Sequence, residues 1–141
     1  MRVFKSGNIF IIVLEKGDYV LESIKGFAMN YNQKSGFFFG IGAVKNPEIG
    51  FYDTSQGRYL KRTLEGGFEV ISLLGNLSLD KEKNIIVHAH IGLADEEYRM
   101  YGGHLFEAQV SVTMELIFIP TRTIIRRLDE ETQLKLMWST E

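Results

Sequence analysis

The chain contains no cysteine. Disulfides, thiolate nucleophiles and cysteine-based zinc sites are therefore excluded, and the lack of thiols is compatible with a reducing cytosol. There are only two prolines, Pro47 and Pro120, and no low-complexity tract or internal repeat. With no linker signal, one domain spanning residues 1–141 is expected. Long hydrophobic runs are also missing: nothing approaches the roughly 20 apolar residues needed to cross a bilayer. The run Ile9–Leu14 gives way at once to Glu15 and Lys16, too soon for a secretory signal. The sequence therefore reads as a soluble cytoplasmic protein with no membrane partner. A basic surplus is absent too, with 16 Lys and Arg against 18 Asp and Glu, a formal charge of −2. That balance weighs against tight, autonomous binding to duplex DNA, which needs cations to neutralise phosphates. The local clusters Lys61-Arg62 and Arg126-Arg127, with Arg122 nearby, are each followed by acids.

What is present suits a globular α+β domain. Hydrophobic residues make up 45% of the 141, enough for a core without staples. Asn8–Leu14 reads as a buried strand. Asp18 is a candidate N-cap for a helix in which Val20, Leu21, Ile24, Phe27, Ala28 and Tyr31 form one apolar stripe. Beyond Gly36 the pattern turns to strands: Gly36–Val44, with Glu48–Asp53 continuing it after an Asn46-Pro47 break, then Arg58–Leu64, Phe68–Leu74, Ile85–Ile91, Glu107–Phe118 and Leu134–Trp138. One early helix, or two, packed on a mainly antiparallel sheet is the expected architecture.

The segment Ile85-Ile86-Val87-His88-Ala89-His90-Ile91-Gly92 is the most informative. Residues i and i+2 of a strand share a face, so His88 and His90 present two imidazoles to the same side. A polar connection, Leu93–Met100, would return the chain so that His104, behind Gly102-Gly103, lies beside them. A bare His-x-His pair is common in hairpins where it does no more than satisfy hydrogen bonds. All three histidines of the chain in one hairpin, with two glycines allowing a close backbone approach, favour a metal site at His88, His90 and His104. Zinc is the usual occupant of such a set, its fourth position left to water or another ligand. A catalytic use would need a general base. Glu107 would face away from His104 in a strand, and Asp95, Glu96 and Glu97 read as solvated turn acids, so no catalytic residue is assigned.

Phe37 and Phe39 should lie on one face of their strand and Phe38 on the other, which implies burial on both, in a core or at a subunit interface. Phe68, Val70, Ser72 and Leu74 should share a face in a strand that ends at a Gly75-Asn76 turn. Glu69 is then an acid among apolar neighbours, with a structural or interface role expected.

The stretch Thr63-Leu64-Glu65-Gly66-Gly67-Phe68-Glu69-Val70-Ile71-Ser72-Leu73-Leu74-Gly75-Asn76 resembles the signature segment of the PPC domain, the plant-and-prokaryote conserved domain. His88-Ala89-His90, Gly102-Gly103-His104-Leu105 and the Phe4-x-x-Gly7 opening resemble its stand-alone prokaryotic members in the same order. The resemblance implies an α+β fold, a homotrimer, and zinc at His88, His90 and His104. It also implies a DNA-associated role, which in plants accompanies AT-hooks. This chain has no such hook, and Gly67 stands where the plant signature has an arginine. The expectation is a metal-binding trimeric module with weak association to DNA or a protein partner. The alternative is a zinc-dependent enzyme or small-ligand binder using the same histidines.

Overall fold

The computed structural model describes residues 1–140. Among them are nine strands and one helix: β1 (Arg2–Ser6), β2 (Ile9–Glu15), α1 (Val20–Asn30), β3 (Gly36–Asp53), β4 (Arg58–Thr63), β5 (Gly67–Leu79), β6 (Ile85–Ala94), β7 (Met100–Pro120), β8 (Ile124–Leu128) and β9 (Lys135–Thr140). They form one sheet in the order β1-β2-β7-β3-β5-β8-β9, with β4 added to β3, and β6 paired to both β5 and β7. Every pairing is antiparallel except β5 with β8, a parallel contact at Leu79 and Ile125. The expected mainly antiparallel sheet is thus observed, with one helix of the one or two expected. Among the described residues no helix is long and apolar enough to cross a membrane.

The core lies between α1 and the inner face of the sheet. Val20, Ile24, Phe27 and Ala28 from the helix are buried against Phe10, Ile12, Phe38, Leu116 and Phe118. Phe27 sits edge-on to both Phe10 and Phe118, with ring centroids 5.2 Å apart in each case.

Four local expectations need correction. Asp18 is not the N-cap: Tyr19 holds that position without a side-chain bond. The Asp18 carboxylate instead accepts the Glu15 amide at 2.9 Å and pairs with the N-terminal ammonium at 3.1 Å. Second, Gly75-Asn76 is not a turn, because β5 runs on to Leu79, paired on both sides by β3 and β6. Third, Phe68, Val70, Ser72 and Leu74 do not share a face. The pairing of β5 shifts between Val70 and Ser72 against β6 and between Val70 and Leu73 against β3, a β-bulge that reverses the alternation. Leu73 is consequently in the core and Leu74 is 59% exposed. Asn46-Pro47 likewise marks a register shift inside one long strand and not a break between two.

Candidate metal centre

The bulge in β5 leaves Asn76 and Leu74 opposite His88 and His90 on β6. Along β6 the alternation is as expected: Ala89 and Ile91 are buried in the core, while His88 is half-buried and His90 exposed on the outer face. On the other side of β6, His90 pairs directly with His104 of β7. That pairing needs little space between backbones. A Cβ on Gly103 would stand 2.8 Å from the Gly50 carbonyl oxygen of β3, and one on Gly102 would stand 2.8 Å from that of Ile91. The close approach expected of the two glycines is therefore real.

The three rings converge. Centroids are 5.2 Å apart for His88 and His90, 5.2 Å for His88 and His104, and 5.5 Å for His90 and His104. One ring nitrogen from each lies within 4.8 Å of the others. Two Zn–N bonds of about 2.0–2.1 Å at a tetrahedral angle need nitrogens roughly 3.4 Å apart, a distance small side-chain rotations can reach. The donor set is chemically suited to a borderline metal, and burial favours the neutral, ligating imidazole. Burial first, then Arg126 and His90, pushes His88 down to about 4. Burial, followed by the other two histidines and Lys61, pushes His104 down to about 4.

Residues distant in sequence surround the cluster. The Tyr59 hydroxyl of β4 is 3.4 Å from His104 Nδ1, and its ring packs on the imidazole with centroids 4.8 Å apart. Arg126 of β8, only 6% exposed, donates from Nε to Ser78 at 2.7 Å, from Nη1 to the Lys135 carbonyl at 2.7 Å and from Nη2 to Asn76 at 2.9 Å. The same Nη2 lies 3.4 Å from His88 Nδ1. A guanidinium only donates, so this contact favours a lone pair on Nδ1. Loading a metal on Nε2 of His88 therefore requires a tautomer change, and ligation through Nδ1 gives up the contact. Among the described residues no carboxylate pairs with Arg126. Sequence reading noticed Arg126 only as half of a basic pair, since nothing local ties it to a histidine 38 positions away.

The acids behave as loop and fold elements. Asp95 holds its own turn through the Glu97 and Arg99 amides and the Arg99 side chain. Glu107 faces the helix, away from His104, and its carboxylate accepts the amides of Leu21 and Glu22. Glu69 is exposed at the start of β5, among Ile41, Ile71 and Glu115.

A family model described as the Plants and Prokaryotes Conserved (PCC) domain matches residues 1–121. The chain belongs to this family. Among solved structures, the PCC chain is similar to a plant- and prokaryote-conserved protein of Pyrococcus horikoshii, at 30% identity and TM-score 0.86, covering 99% of this chain and 95% of that one. It is equally similar to a metal-containing protein of Archaeoglobus fulgidus, at 31% identity and TM-score 0.86, covering 99% and 100%. A protein of Bacteroides thetaiotaomicron, 23% identical, shares the fold at TM-score 0.92 over 96% of this PCC chain and 95% of its own. No curated protein matches.

Proposed function

We propose that this PCC chain is a single, cytoplasmic, zinc-binding domain that assembles as a homotrimer and acts by weak association with DNA, not by catalysis. The convergence of His88, His90 and His104, with one nitrogen from each within 4.8 Å of the others, carries the metal reading. The description of the similar Archaeoglobus protein as metal-containing supports it. Elemental analysis of purified protein beside His104→Ala tests it. One metal per chain that falls away in the variant is expected; unchanged metal content overturns the three-histidine assignment.

The outer face of the sheet supports self-association. Phe38 is in the core, but Phe37, Phe39, Ile41, Leu74 and Ile119 all stand exposed on the opposite face. A contiguous apolar patch of this kind is unusual on a monomer and is buried economically by further copies of the same chain. Light scattering on the eluting protein should give three times the chain mass.

Association with DNA is the role the family resemblance implies, and with a net charge of −2 it must be weak and sensitive to salt. An electrophoretic titration in low salt tests it, and no shift at high protein concentration removes it.

A metal held by three histidines would leave a fourth position for another donor, which favours a second reading, a small ligand on the metal beside the shallow pocket lined by Phe37, Phe39, Leu74, Asn76, His88 and His90. Substituting cobalt(II) and adding small anions distinguishes the two. A changed d–d spectrum supports a ligand site, and an unchanged one supports a closed, structural ion.

A further inference from the structure

The formal charge of −2 conceals a local reversal. Three separate stretches of chain bring Lys34, Lys81, Lys83 and Arg127 to the wall of one cleft of about 450 Å³, beyond the end of α1. All four side chains are exposed, and none forms an ion pair among the described residues. Among the described residues the one acid lining the cleft, Asp80, is already engaged by Lys135 at 2.9 Å. Glu82, in the same turn as the two lysines, does not line it. The cleft therefore presents four uncompensated cations in a concavity, which is where field lines concentrate and anions collect.

A second observation names the kind of anion. Arg127 lines the cleft, and its guanidinium stands over the ring of Trp138 on β9, 5.2 Å from the centroid, while Trp138 itself lines a separate shallow pocket with Arg122 and Phe37. Trp138 is the only tryptophan of the chain, and it is 66% exposed. A cationic groove with an exposed aromatic ring beside one of its cations is the pairing that tracks a sugar–phosphate backbone and stacks a base. A duplex keeps its bases stacked on one another and offers no free face to the indole.

We propose that this cleft binds single-stranded nucleic acid, with phosphates along Lys34, Lys81, Lys83 and Arg127 and an unpaired base on Trp138. The idea rests on the reading that the protein associates with nucleic acid, gives that association a location, and is independent of the histidine cluster.

The test uses the full-length, metal-loaded protein with a labelled oligothymidylate and a duplex of equal length, read by anisotropy and by the fluorescence of Trp138. Single strands should bind in preference and quench the tryptophan. The slope of log K against log salt should be about −3, from four phosphate contacts. In Lys83→Ala/Arg127→Ala, whose folding is checked by circular dichroism, that slope should fall to roughly half. Trp138→Ala should weaken binding about tenfold, and Trp138→Phe should restore most of it. Binding of the duplex in preference to the single strand would leave DNA association standing and overturn this inference. Single-strand binding that ignores both sets of substitutions would overturn it too, and no binding to either would overturn both.

Discussion

The carboxylate of Glu107, on β7, accepts the backbone amide of Leu21 at 2.9 Å, and its second oxygen accepts that of Glu22 at 3.1 Å. A residue 86 positions away thus caps α1, satisfying two amides left open at the helix start and placing negative charge at the positive end of the dipole.

Glu107→Ala should therefore behave as the loss of an N-cap, costing about 1–2 kcal/mol. Chemical denaturation should show the midpoint falling at an unchanged slope. Because Glu107 faces away from the histidines, metal content should stay constant. A variant with full stability would show that the cap contributes nothing.

Gly103→Ala addresses the close approach beneath the three histidines. The new Cβ would meet the Gly50 carbonyl oxygen at 2.8 Å, so β3 and β7 must separate there. Overpacking of this kind costs about 1–3 kcal/mol. Since Gly103 adjoins His104, metal affinity should drop along with thermal stability, as metal titration by calorimetry would reveal. Gly66→Ala, a strained turn position with open space around it, should lower stability without touching metal affinity.

Leu74→Glu tests the outer face. The side chain is 59% exposed, so the change should cost the isolated fold within about 0.5 kcal/mol. Placed in an apolar interface, the same carboxylate would be buried without a partner. Light scattering should then report the single-chain mass while circular dichroism remains native. Persistence of the wild-type mass would place the interface elsewhere.

Asp80 predicts an acid dependence. The Lys135 ammonium, with bonds from Asn84, holds its carboxyl down to about 2, below its ordinary value of 3.8. A depressed folded pKa means that the stabilising contribution is complete above the ordinary value and disappears as pH falls towards about 2. Lys135→Met should raise the Asp80 pKa in a carboxyl-carbon NMR titration. Melting temperatures of variant and wild type should differ at neutral pH and converge near the bottom of that window.

Short-range order in the residues was enough to predict much of this molecule. The helical stripe from Val20 to Phe27, the alternation through His88-Ala89-His90 and the stop at Pro120 all depend on spacing along the chain, and all appear where expected. The face of Leu74 was read wrongly because one bulge in β5 reverses every later side chain, and a bulge is set by the strands on either side. Asp18 looked like the cap because its competitor, Glu107, is close only in the folded chain. The sequence by itself determined the donor set, three histidines and no thiol, and hence the chemistry available to a metal. Only the tertiary structure decided that the histidines converge, that Arg126 and Tyr59 stand behind them, and that four scattered cations meet in one cleft. Those relationships join residues tens of positions apart, and long-range pairing in an antiparallel sheet leaves no periodic trace in the chain that forms it.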